Sequence, residues 1–245
     1  MASTTPQTRF KQIDQKLHSI EQELLFQKDT VDFDVMASCW FMLFCSPHEG
    51  QLQIWNKDHW MKIEGPSALV LPSFAIIRYK ISPGRFNWIG FGSESPLYGL
   101  PNHPIFLPKA PSVRIQCFAE AEAFFATSIN PIPIESRIRS SALSNTVKNY
   151  LCKNFRGSIS MANMCDDLGI SYSTMTQDFK RCFGLAPSLF LKKIRMMDAL
   201  HSIKVKNQSV TESCLGSGFT DVSRFGQGFK DTFGLLPSKY DNSLK

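Results

Sequence analysis

Few side chains in this chain are spaced for covalent chemistry. No nucleophile motif, phosphate-cradling glycine loop or zinc spacing occurs. His48, His59 and Glu64 lack the close pairing of imidazoles that a metal site uses, so no catalytic residue, metal or cofactor is expected. The seven cysteines are odd in number and scattered without a CxxC pair, as free buried thiols in a reducing cytoplasm would be. What recurs is a set of amides, hydroxyls and cations. Ser173 and Ser223, Gln177 and Gln227, and Lys180 and Lys230 stand at one constant offset of fifty residues. They lie in or just before two matching runs, DFKRCFGLAPS (Asp178–Ser188) and GFKDTFGLLPS (Gly228–Ser238). Self-similarity at a fixed period means one supersecondary unit used twice. Charge points the same way. Residues 1–135 hold 11 basic and 13 acidic side chains and residues 136–245 hold 16 and 8, so a net charge of +8 collects in the half that carries the repeat. Such a half suits a polyanion.

The elements that must position these residues are helices. From Ile134 onward the chain reads helical: Val147, Tyr150, Leu151 and Phe155 share a face, and Ser160 caps a helix carrying Met161, Met164, Cys165 and Leu168. Gly169 breaks it, and Ser171 opens a second helix to Phe183. Pro187 starts a long helix with Phe190, Ile194, Met197 and Ile203 inward. Val210–Leu215, the break Gly216–Phe219 and the cap Asp221 before Val222–Phe233 then repeat the pattern. A short helix, a glycine turn and a second capped helix describe a helix-turn-helix, whose second helix enters the DNA major groove. It is expected twice, at about 160–182 and 209–232. Phe179, Phe183, Phe225, Phe229 and Phe233, three or four residues apart, are expected in the core.

At these residues the chain resembles the AraC/XylS-type transcription regulators. The resemblance is carried by Arg195-x3-Ala199, by Gly218-Phe219-x-Asp221-x-Ser223-x-Phe225, and by Phe229-Lys230-x2-Phe233-Gly234-x2-Pro237-x2-Tyr240. It extends more faintly to Ser171-x3-Met175-x3-Phe179-Lys180-x3-Gly184. It implies a domain of about seven helices over 140–245, with two helix-turn-helix units in successive major grooves about 34 Å apart on double-stranded DNA. It also implies transcription activation through RNA polymerase. By position it assigns base reading to Tyr172, Ser173, Thr174, Thr176 and Gln177 in the first unit. In the second it assigns Val222, Ser223, Arg224 and Gln227. Glutamine suits adenine, arginine guanine, and Val222 a thymine methyl. Lys180, Lys230, Lys192 and Lys193 are assigned to phosphates. The chain departs from the family at Gln177 and Gln227, where arginine is usual, and at Asp178, a negative charge beside the first unit. Gly226 and Gly228 each cost the second reading helix roughly 1 kcal/mol of propensity. The second unit is therefore expected chiefly to grip the backbone while the first chooses the DNA.

The N-terminal half reads differently. Phe10, Ile13, Leu17, Ile20 and Leu24, spaced 3-4-3-4, predict a helix within a helical segment 1–30. Short apolar or alternating runs at Val35–Cys45, Gln51–Trp55, His59–Ile63, Ala68–Leu71, Ala75–Ile81, Asn87–Phe91 and Val113–Phe118 predict strands. Leu100–Ala110 is expected as a loop, and 131–139 as a linker opened by Asn130-Pro-Ile-Pro. The overall expectation is α+β: a cupin-like β-barrel over 31–130, loosely similar to the domain that senses an effector or dimerises in such regulators, then the all-α unit. A small barrel has room for one small ligand. Trp40, Trp55, Trp60, Arg78, Tyr79, Arg85 and Trp88 are the candidates to line it, arginine suiting an acidic effector. A homodimer through this half is expected, and no membrane partner, since the longest apolar run, Met36–Cys45, is too short to span a bilayer. The alternative is a small-molecule-binding β-barrel enzyme with a helical protein-interaction tail.

Overall fold

The fold is given by a computed structural model that describes residues 7–110, 114–128, 130–135 and 141–240. The chain divides into two compact units, Met1–Ser136 and Arg137–Lys245. The start of the helical segment expected over 1–30 and the linker beyond 135 fall wholly or partly outside the described residues.

The first unit opens with β1 (Gln7–Gln12) and β2 (His18–Phe26), an antiparallel hairpin in which Phe10 faces Ile20, rather than the helix that the 3-4-3-4 spacing predicts. Two periodicities coexist there. Ile20, Leu24 and Phe26 also alternate at the period of a strand, and that face packs into the inner core. Asp14 turns the chain: its Oδ1 accepts from the backbone N–H groups of Lys16 (2.7 Å) and Leu17 (2.8 Å). Its Oδ2 accepts from Phe118 N at 2.6 Å, the first residue of helix α1 (Phe118–Ala126), whose own cap residue Cys117 makes no side-chain bond. Burial disfavours the charged form of Asp14, but these N–H donors outweigh it and hold the carboxyl below its ordinary value.

The strands β3 (Thr30–Val35), β4 (Trp40–Cys45), β5 (Leu52–Asn56), β6 (His59–Ile63), β7 (Ser67–Leu71), β8 (Ile76–Ile81), β9 (Gly84–Ser93), β10 (Ile105–Pro108) and β11 (Ile132–Pro133) follow. They form two open antiparallel sheets, β1-β2-β9-β4-β7-β10-β11 and β3-β8-β5-β6, where a closed barrel was expected. The run Trp40–Cys45 is apolar throughout because both its faces are covered. Phe41 and Cys45 join Ile54, Ile63, Leu71 and Ile77 between the sheets. Trp40, Met42 and Phe44 instead join Leu17, Phe91, Phe118 and Ala121 between the larger sheet and α1.

Three expectations are corrected here. The Leu100–Ala110 loop contains β10, which pairs with β7, and Gln116–Cys117 is not a strand. Nor is the start of the linker free. β11 pairs with β10, Asn56 donates to Pro133 O (3.2 Å) and accepts from Glu135 N (2.9 Å), and Ile134 is buried. A proline strand at the sheet margin gives up no ladder bond that it needs.

The second unit is α-helical: α2 (Ala142–Asn154), α3 (Met161–Asp167), α4 (Tyr172–Phe183), α5 (Pro187–Lys204), α6 (Val210–Gly216) and α7 (Val222–Phe233), closed by a 3-10 turn at Pro237–Lys239. Phe179, Phe190, Phe225 and Phe229 are fully buried, as their spacing predicts. Among the described residues no helix is long and apolar enough to cross a membrane.

Candidate nucleic-acid interface

The repeat is present in three dimensions, with one residue of slippage. Ser160 caps α3 and Ser209 caps α6, the latter in a full capping box with Glu212. In the first turn Gly169 N bonds to Asp166 O (3.1 Å) and Ile170 N to Cys165 O (3.0 Å). In the second, Gly218 N bonds to Leu215 O (3.0 Å) and Phe219 N to Cys214 O (3.1 Å). Thr220 is an extra residue before the cap Asp221, so the leading helices correspond at forty-nine residues and the reading helices at fifty. Ser171 and Asp221 cap α4 and α7 through Thr174 N and Arg224 N, and both helices end on left-handed glycines, Gly184 and Gly234.

Each reading helix buries one aromatic stripe and exposes a polar one. In α4 Tyr172, Ser173, Thr174, Gln177 and Lys180 are exposed, joined by Arg181. Thr176 is not on this face: its hydroxyl is sealed from solvent and unpaired, which removes it from the base readers. In α7 Val222, Ser223, Arg224, Gln227 and Lys230 are exposed, joined by Asp231. Lys192 on α5 is exposed and Lys193 half-buried. Gly228 has a packing reason, since a Cβ there would stand 2.9 Å from Met196 Cε of α5, whereas a Cβ on Gly226 would meet open space. Arg181 and Asp231, which occupy one position of the repeat with opposite charge, are the residues that sequence reasoning passed over.

Asp178 turns away from this exposed stripe. Its Oδ2 accepts from the hydroxyls of Ser141 and Ser144, both at 2.6 Å, at the N-terminus of α2. Those two hydroxyls hold its carboxyl below the ordinary value of 3.8 against a smaller opposing effect of burial. A depressed folded-state pKa contributes stability above the unfolded value and loses it as pH falls through the folded one. Asp178→Ala is therefore expected to cost about 1 kcal/mol at neutral pH. In paired denaturant melts the gap from the unmodified protein should close below pH 3.8. A gap unchanged into acid would contradict this role.

A rigid frame holds the units together. Arg195 of α5 donates from Nε to Phe155 O (2.7 Å) and from Nη2 to Gly157 O (2.8 Å), with Phe219 beneath its guanidinium. Asp198 of α5, 1% exposed, accepts from Arg156 Nη2 (2.5 Å), Arg156 Nε (3.2 Å) and Ser217 Oγ (2.9 Å). The end of α2, the long helix and the second turn are thus one hydrogen-bonded body.

The helix-turn-helix domain family matches residues 164–243, over both turns and both reading helices. These residues of the chain form a helix-turn-helix domain. Curated relatives align with this same part. The raffinose operon transcriptional regulatory protein RafR of Pediococcus pentosaceus is 28% identical over 108 residues, 44% of this chain and 39% of that protein. The HTH-type transcriptional activator RhaS of Escherichia fergusonii is 27% identical over 104 residues, 42% and 37%. The chain thus spans less than two fifths of the length of these relatives. Over both units the chain shares its fold with ToxT of Vibrio cholerae, solved with (E)-4-(8-methylnaphthalen-1-yl)but-3-enoic acid: TM-score 0.57, 14% identity, 94% of this chain and 100% of that one. In the helix-turn-helix domain the arginine, aspartate and glycine of the resemblance (Arg195, Asp221 and Gly218) thus have structural roles.

The effector-pocket candidates of the first unit do not converge. Trp40 lies under α1 against Phe118, with its indole N–H donated to Ser95 O (2.7 Å). Trp88 and Tyr79 pack against the core between the sheets; Asp34, burial and Asp32 push the Tyr79 hydroxyl far above its ordinary value. Arg85 is exposed and faces Glu23 at 3.5 Å. Only Trp55, Trp60 and Arg78 meet, with the guanidinium 5.3 and 5.2 Å from the two ring centroids and Phe33 at 5.8 Å. They lie on the other face of the smaller sheet from the core residues Ile54 and Ile77, because Trp55 and Arg78 alternate with those residues along their strands. Ile54, Ile63, Leu71, Ile77 and Ile81 pack together between the sheets. An open groove of about 450 Å³ lies elsewhere, lined by Arg9, Glu21, Phe44, Ser67, Trp88 and Cys45, whose thiol burial pushes up to about 12. His48, His59 and Glu64 make no metal-holding group, and none exists among the described residues.

Proposed function

We propose that this chain is a sequence-specific DNA-binding regulator of transcription, an activator that presents α4 and α7 to successive major grooves of double-stranded DNA. The observation that carries the reading is the doubled unit itself: two capped helices with similar polar stripes on either side of one long helix, which Arg195 and Asp198 bind to the end of α2 and to the second turn. Lys180, Lys230, Lys192 and Lys193 supply phosphate contacts, and the exposed residues of α4 supply most of the base choice. The name of RhaS supports activation, with RNA polymerase as the partner that activation requires. The first unit, whose fold is shared with the acid-bound ToxT structure, senses an effector or pairs two copies.

Binding to a duplex should weaken linearly in log–log measure as salt rises, because neutralised phosphates release counterions. A slope near zero would sink the reading and favour a protein-interaction role for the helices. Gln177→Ala should relax preference at one base position, whereas Lys180→Ala should weaken all sequences alike and reduce the slope by about one.

A further inference from the structure

The two reading helices share a frame yet aim the same amide in opposite directions. Serine, glutamine and lysine recur at 173/223, 177/227 and 180/230, but position 181 is arginine and position 231 aspartate. In α4 Gln177 Nε2 donates to Ser173 Oγ at 3.2 Å, one turn toward the helix N-terminus. In α7 Gln227 Nε2 donates to Asp231 Oδ1 at 2.7 Å, one turn toward the C-terminus. The cause is elementary. Residues four apart are neighbours on a helix. A guanidinium has only donors, so Arg181 offers the Gln177 amide N–H nothing. A carboxylate only accepts, and its bond to an amide N–H is charge-assisted, stronger than one to a serine hydroxyl. Gln227 therefore leaves Ser223 for Asp231.

That choice decides what each helix can read. In a helix-turn-helix it is the N-terminal part of the second helix that touches base edges. The Gln177 amide is drawn toward that end and the Gln227 amide away from it. Recognition of adenine needs one amide to place a donor on N7 and an acceptor on N6 together, which an amide turned to the other end of its helix does not do. Asp231 also puts a negative charge on the exposed stripe where Arg181 puts a positive one.

We propose that Asp231 is a specificity-determining residue: it withholds the Gln227 amide from the base edges, so that the second unit does not choose the base that this amide would otherwise face. The proposal rests on the DNA-binding reading above. The test is selection from randomised duplexes by the full chain, sequencing the bound pool for the unmodified protein, Asp231→Ala, Gln227→Ala and the double variant. Asp231 and Gln227 are exposed, so the variants keep the fold, which far-UV circular dichroism checks. The unmodified protein and Gln227→Ala should select the same sequences, degenerate at the base that Gln227 would face. Asp231→Ala should gain a preference of roughly tenfold for adenine at that position, and the double variant should lose it. If Gln227→Ala erases a preference that the unmodified protein already has, Gln227 reads despite Asp231 and the proposal is wrong. It is equally wrong if Asp231→Ala tightens binding to every sequence alike, for then the carboxylate only repels phosphate. An unmodified protein that binds duplex without salt dependence removes the DNA-binding reading, and the role of Asp231 with it.

Discussion

Gly218→Ala is expected to destabilise the helix-turn-helix domain by about 3–5 kcal/mol, while Gly169→Ala, at the matching turn of the first unit, costs only about 1–2 kcal/mol. Both glycines are left-handed, with φ of 84° and 63°. A side chain at either therefore strains the backbone. The difference lies in what surrounds them. A Cβ on Gly218 would stand 2.6 Å from Phe155 O, 3.0 Å from Arg156 O and 2.9 Å from Arg195 Nε, whereas a Cβ on Gly169 would meet nothing within 4 Å. The Phe155 carbonyl cannot retreat, because it accepts the Arg195 hydrogen bond that ties α5 to the end of α2. Thermal unfolding followed by far-UV circular dichroism should show the helical transition of Gly218→Ala lowered by more than ~10 °C and that of Gly169→Ala by much less. Equal shifts would mean that the close approach at the second turn carries no weight.

The contrast between those glycines marks how far the sequence could be read. Repetition made the C-terminal unit legible, because caps, glycine turns and buried phenylalanines are local signals that occur twice and check each other. The single-residue slippage at Thr220 was also in the sequence, hidden by aligning only the stronger reading helices. What resisted was decided by partners remote in the chain. Phe10 to Leu24 fits a helix by spacing, and only pairing of β2 with β9 and a place between two sheets select the strand. The helix α1 is capped by Asp14, more than a hundred residues upstream, which no local pattern displays. Among the seven pocket candidates, residue type was readable but strand parity was not. Trp55 and Arg78 point to one face of their sheet and Tyr79 to the other, since a strand alternates at every residue. Asp178 shows the same limit in the reading helices: its type suggested repulsion of DNA, and its direction makes it a clamp on α2.

Asp198→Ala is expected to be the costliest single change in the polar interior, about 3 kcal/mol, and to impair DNA binding through geometry rather than contact. Removing a buried carboxylate leaves its donors unpaired, a greater loss than the pair's own worth. Here the Ser217 hydroxyl is fully buried and stays unpaired, whereas Arg156, with a side chain 48% exposed, recovers part of its hydration. That places the cost at the lower end of the range for buried pairs. Asp198→Asn keeps an acceptor for Arg156 and Ser217 and should lose about half as much. A double-mutant cycle with Ser217→Ala isolates the part of the loss that belongs to the second turn. The functional consequence follows from position. Asp198 joins the end of α2, the long helix α5 and the turn that launches α7, so it fixes where the second reading helix stands relative to the first. Asp198→Asn, folded at low temperature, should bind a duplex long enough to reach both units at least ~10-fold more weakly, because two contacts that no longer match one groove spacing lose their mutual effective concentration. On a short duplex that ends before the second unit's groove it should bind as the unmodified protein does. Equal weakening on both duplexes would assign Asp198 to general stability and not to the spacing of the two units.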